Sequence, residues 1–176
     1  MLVAAAGASW LLVKSVSGDR PDTAGATQES KGYYIKGAAI LGTDEDGGLL
    51  YRVEATDIRH MPGENMVALT DVTVRYSAAG QPAWSVTSAT GSIDDASSEI
   101  SLEGEVRLRN ESTAQEEPYL IETDTLLFSP RRRYASTSAQ VRITQPGVLL
   151  TATGMEADLE KEMLQLKASV SGQFSP

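Results

Sequence analysis

Cysteine is absent from all 176 residues. That removes disulfide stapling, thiolate chemistry and Cys-based zinc sites together, and it fits an oxidising or a reducing compartment equally well. Histidine occurs once, as His60, so a Ser-His-Asp relay or a multi-histidine metal site has only that imidazole to lean on. Aromatic residues make up only 6% of the chain, too few for a platform that stacks bases or sugar rings. Basic residues are outnumbered, 15 against 24 acidic, and the net charge of −9 opposes phosphate backbones. No nucleic-acid partner is expected. Long apolar runs are also scarce, with one exception at the N-terminus.

That exception is "MLVAAAGASWLLV", Met1 to Val13, which carries no charge before Lys14. A helix of this length rises only about 20 Å, against about 30 Å of bilayer hydrocarbon. We read residues 1–14 as a membrane anchor shortened by a late start. The alternatives are a signal peptide, which lacks a basic n-region here, and a buried soluble helix. Residues 15–32 contain "SVSGDRPDTAGATQESK", polar and rich in Ser, Gly and Thr. They read as a flexible tether to a folded body at 33–174.

What the body does have is punctuation. Turn signals recur at "GTDEDGG" (42–48), "MPGEN" (61–65), "SAAGQP" (77–82), "SIDDASSE" (92–99), "NESTAQEEP" (110–118), "SPRRR" (129–133) and "TQPG" (144–147). Between them, runs rich in Val, Ile, Thr and Tyr alternate apolar with polar. Tyr51, Val53 and Ala55 share a face, as do Val72, Val74 and Tyr76, Trp84 and Val86, and Ile100, Leu102, Val106 and Leu108. Many short strands at this spacing predict an antiparallel sandwich, barrel or jelly roll. A loose repeat runs from Thr87 to Val106, Thr123 to Val141 and Thr153 to Val170, each a strand, a polar turn and a strand. Its irregular spacing suggests stacked hairpins rather than a strict solenoid. Residues 154–170 also fit a helix, with Met155, Leu159, Met163 and Leu166 on one face. The alternation of Leu164, Leu166, Ala168 and Val170 favours a hairpin that turns at 160–162.

Candidate chemistry is thin. Asp44 and Asp46 beside Gly47 resemble part of a calcium loop, but the required downstream acidic ligand is out of register, and an acidic hairpin turn explains them. His60, next to Met61-Pro62-Gly63, reads as a solvated loop histidine. The acidic pairs Asp94-Asp95 and Glu116-Glu117 fall in polar turns rather than across a cleft, which argues against glycoside hydrolysis. Arg131-Arg132-Arg133 is the only basic cluster. It is read as a solvated turn that discourages edge pairing, with anionic head-group binding as the alternative. Asn110-Glu111-Ser112 matches a glycosylation triplet and is given no weight. No catalytic residue, metal or cofactor is expected. A tethered β-domain with one continuous apolar face is the signature of a binding module, provided that face stays open enough to shelter something.

Trp84-Ser85-Val86, then Gly91, then Leu102-x-Gly104-x-Val106 resemble the LptC family of lipopolysaccharide-export proteins. "YYIKGAAILGTDEDGGLLYRVEA", "VALTDVTVRY" and "ATGMEADLEKEMLQLKASVSG" are similar to that family in order as well. The resemblance implies an all-β fold, an antiparallel V-shaped β-jelly roll, preceded by one N-terminal transmembrane helix. It implies a single-pass inner-membrane protein whose C-terminal domain lies in the periplasm of a Gram-negative bacterium. Its implied partners are lipopolysaccharide, the membrane subunits of an inner-membrane ABC transporter, and a periplasmic jelly-roll bridge protein reached by strand-edge pairing. A homodimer is compatible with the same edges. The soluble bridge protein itself is the alternative reading. By position the resemblance places lipid-lining residues at Ala38, Leu69, Ala157 and Leu166, and Trp84 joins them on strand phase. Gly47 matches a family glycine whose implied role is a positive-φ turn. The chain departs from the family in lacking basic residues before the apolar run, and in carrying aliphatic side chains where relatives often carry aromatics.

Overall fold

The computed structural model describes residues 32–44, 46–61, 63–77, 83–111, 119–161 and 163–174. Nine strands follow one another: β1 (Tyr33–Thr43), β2 (Leu49–His60), β3 (Met66–Tyr76), β4 (Ala83–Asp94), β5 (Ile100–Glu111), β6 (Leu120–Ser129), β7 (Tyr134–Gln145), β8 (Val148–Asp158) and β9 (Met163–Phe174). They form a single antiparallel sheet in chain order, each strand paired with its sequence neighbours. The two ends of the order, β1 and β9, are not paired with each other, so the sheet is not closed into a barrel. Each of the seven turn signals falls on a connection, and the ambiguous 154–170 segment is the β8–β9 hairpin. The expected anchor at 1–14, and all of the expected tether except Gly32, lie outside the described residues. Among the described residues no helix is long and apolar enough to cross a membrane.

The strands are longer than the sequence suggested, 10 to 12 residues each, because most change burial phase near the middle. In β2 the inward positions are Val53 and Ala55, then Ile58. In β3 they are Val67 and Leu69, then Val72, Val74 and Tyr76. In β6 they are Ile121 and Thr123, then Leu126 and Phe128. A period-2 reading sees two short strands where the chain makes one kinked strand. The kinks line up across the sheet. Register shifts fall between Thr87 and Thr90, Glu103 and Val106, Thr123 and Leu127, Thr137 and Gln140, and Thr151 and Thr153. Gly37, Asp71, Gly104, Glu105, Gly154 and Ser169 sit on the same line with positive φ. The sequence repeat begins and ends on it: Thr87, Thr123 and Thr153 open the kinked half-hairpins, and Val106, Val141 and Val170 close them.

The kinks let the sheet roll. Tyr76 ends β3 at the edge carrying the 77–82 connection, whereas Phe128 lies at the opposite end of β6. In a flat sheet, strands three places apart are separated by roughly 14 Å, before adding the length of the strand. Their rings instead meet edge to face with centroids 5.6 Å apart. One end of the early strands therefore packs over the other end of the later ones, and the inward faces of both halves share one core. Val53, Val74, Ile100, Val106 and Met155 are fully buried there.

Candidate functional site

All five expected lining residues face this interior. Leu69 and Ala157 belong to the core, at 2% and 8% exposure. Ala38, Trp84 and Leu166 are partly covered and pack against it. Cross-strand register places Leu166 beside Met155 on β8, and Leu69 between Ile58 on β2 and Gly91 on β4. Trp84 packs edge to face on Tyr119 at 5.2 Å. The middle of this interior is filled by buried side chains. The incompletely covered inward residues lie towards the rims, and include Ala38 and Ile40 on β1, Trp84 on β4, Leu150 on β8 and Leu166 on β9.

The outer edges are a second feature. All of β9 is exposed except the half-buried Leu166, including Met163, Leu164, Val170 and Phe174, the last at 75%. On β1, Tyr33, Tyr34, Ile35 and Leu41 are similarly exposed. Large apolar side chains beside unpaired backbone donors and acceptors make a strand ready for a partner. Of the four alternating residues of β9, only Leu166 is partly covered, and Leu164, Ala168 and Val170 are exposed.

The polar candidates resolve mostly into turn structure. Asp44 Oδ1 accepts the Asp46 and Gly48 N–H groups at 3.1 and 2.6 Å. Gly47 adopts φ +82° with open space around it, the positive-φ role the resemblance implied. Asp94 Oδ1 accepts the Ser97 N–H and hydroxyl, both at 2.7 Å, and these bonds hold its carboxyl below the usual range. Asp95 Oδ2 lies 3.4 Å from His60 Nε2. His60 is not a solvated loop residue: it ends β2, its side chain is 15% exposed, and it stacks on Tyr33 at 5.2 Å. Its cover comes from Tyr33 at the far end of the neighbouring strand β1 and from Asp95 in the β4–β5 turn, both many residues away along the chain. Arg132 is paired with Glu99, and Arg133 lies 3.5 Å from Glu160. Asn110 is buried and its Oδ1 accepts the Tyr119 N–H at 2.9 Å, so this asparagine serves the fold. Among the described residues no three of His, Asp and Glu converge to hold a metal.

Three open grooves of about 510, 610 and 510 Å³ lie along the kinked line. The first has a largely polar lining, as at Arg107, Glu122 and Arg142, whereas the second is walled in part by the core residues Leu102, Leu126 and Met155 and the third includes Ala38, Ala39 and Ala55. The interior holds a less expected feature: His60 Nδ1, Tyr76 Oη and Thr123 Oγ1 are buried without a hydrogen-bond partner. Each such atom costs about 1–3 kcal/mol. Strand phase announced Tyr76 as inward, but nothing in the sequence marked its hydroxyl as partnerless.

A rolled, unclosed antiparallel sheet with a shared apolar interior and two edge strands paired on one side only defines a fold of the β-jelly-roll class. The chain belongs to the LptC family: the family model described as lipopolysaccharide-assembly, LptC-related, matches residues 1–175. No curated protein matches it significantly in sequence. Its fold is similar to the crystal structure of LptH from Pseudomonas aeruginosa, described as the LptA homologous periplasmic component of the conserved lipopolysaccharide transport device. That likeness has a TM-score of 0.51 and 10% identity, and it covers 83% of this chain and 96% of the other.

Proposed function

We propose that this protein carries lipopolysaccharide without chemistry of its own. It takes the lipid from an inner-membrane ABC transporter, shelters the acyl chains on its inward face, and passes them to a periplasmic jelly-roll bridge protein through strand-edge pairing. Family membership supports the pathway. The observation that carries the mechanism is the pairing of an apolar interior with the bare β9 edge. Burial of each CH₂ group contributes about 0.8 kcal/mol, so even part of an acyl chain holds firmly. Because the centre is packed when empty, chains enter at the rims, where Ala38, Trp84 and Leu166 are only partly covered. An extended strand added to β9 satisfies the unpaired backbone and continues the apolar face into the neighbour. The expected N-terminal anchor keeps the domain at the inner membrane.

Photo-crosslinking in cells tests the lining. Probes at Ala38, Leu69, Trp84, Ala157 and Leu166 should trap lipopolysaccharide, and a probe at the outward Arg142 should not. Adducts absent from every inward position, while β9 still crosslinks to the bridge protein, would leave only a docking role. Fractionation decides the anchor: a shortened soluble product would favour the bridge protein itself.

A further inference from the structure

A lysine on an edge strand ordinarily guards it, because an added strand would have to strip water from the ammonium or crowd it. Along β9 the only charged residue is Lys167. Its ammonium does not stand over the open side. Lys167 Nζ lies 2.6 Å from Glu156 Oε1 on β8, so the side chain leans back across its own sheet. Room for the stem comes from the residue it crosses. Gly154 has φ +77°, and a Cβ there would sit 3.2 Å from both Cβ and Cγ of Lys167. Glu156 is held in turn by a hydrogen bond from Tyr134 on β7, so three strands share the arrangement. With the ammonium drawn back, the exposed Leu164, Val170 and Phe174 stand beside backbone groups that no tenth strand pairs.

We infer that Glu156 is a positioning residue for strand addition: it holds Lys167 over β8 and so keeps the one β9 charge away from the side on which a partner strand lands. A released Lys167 sweeps the open side on a flexible four-carbon stem, and ordering or desolvating it opposes docking. The two side chains are 42% and 37% exposed, so the pair is weak and its loss costs a modest factor rather than all binding. This inference rests on the docking reading above and adds to it the contact that keeps the edge open.

Affinity for the purified periplasmic bridge protein of the same bacterium, measured on the full 176-residue chain and three variants, provides the test. Glu156→Gln should weaken binding about 3-fold, the size of an exposed ion pair. Lys167→Met should bind at least as tightly as the native chain, and adding Glu156→Gln to it should cost nothing further. A loss of fold would lower both backgrounds alike, so this rescue separates positioning from stability. The inference is overturned if Glu156→Gln binds like the native chain, or if it costs the same in both backgrounds. Weaker binding by Lys167→Met alone also overturns it, because Lys167 would then touch the partner directly. If the native chain does not bind the bridge protein, the docking reading falls as well.

Discussion

Asp94, Glu156 and Asp158 hold their protons loosely because the fold brings donors to each carboxylate. Asp94 accepts from Ser97 and Ala96. Glu156 accepts from Lys167, 2.6 Å away, and from Tyr134. Asp158 accepts from the Lys161 ammonium and from the Lys161 and Glu160 N–H groups. All three carboxyls titrate below their ordinary range, so in acid the unfolded chain binds more protons than the folded one. Their stabilisation is present above the ordinary carboxylate range and is lost as pH falls through the depressed values. The urea midpoint should stay level from neutrality to about pH 5 and fall below about pH 4. Asp94→Asn or Asp158→Asn should flatten that fall, and an unchanged acid limb in both would refute the assignment. The same residues show what was legible at this scale. Asp44, Gly47 and Asp94 act through bonds within a few positions of themselves, so turn chemistry foretold them. His60 and Tyr76 take their surroundings from distant strands, and no local pattern could report that.

At the scale of the strand, the kink is what the sequence hid. Gly154 sits on the kinked line at φ +77°, and a Cβ there would meet Lys167 Cβ at 3.2 Å. Gly154→Val should therefore destabilise by about 2 kcal/mol or more, because a β-branched residue is strained in the left-handed region as well as crowded. Urea unfolding measures it, and a midpoint equal to wild type would mean the sheet rolls without this bend. The edge strand makes the opposite prediction. Val170 is 57% exposed, so Val170→Glu should leave stability within about 0.5 kcal/mol. On the proposed docking edge, however, a new charge opposes strand addition. Co-purification with the bridge protein should drop at least tenfold, and full retention would place the contact elsewhere. The β8–β9 hairpin was readable because alternation survives where helical periodicity also fits. The exposure of β9 was not, since alternation is identical for a covered strand and a bare one.

For the whole molecule, order along the sheet sets the order of opening. Central strands are paired on both sides and buried on one face, whereas β1 and β9 are paired on one side only. Amide exchange should therefore be fastest in β1 and β9 and slowest in β3 to β6. Strong protection throughout β9 in the isolated protein would show that another copy already covers it. The chain's own pattern of turn residues and period-2 alternation determined an all-β antiparallel fold of many strands with one apolar face, because those signals act over a few residues; the strand order was left to the tertiary structure. The rolled geometry decided which of Ala38, Leu69, Trp84, Ala157 and Leu166 are sealed in the core and which line a rim. It also decided that Tyr76 meets Phe128, and that β9 stays bare. Those outcomes depend on how far a row of backbone kinks bends nine strands at once, a distance no local stretch of sequence spans.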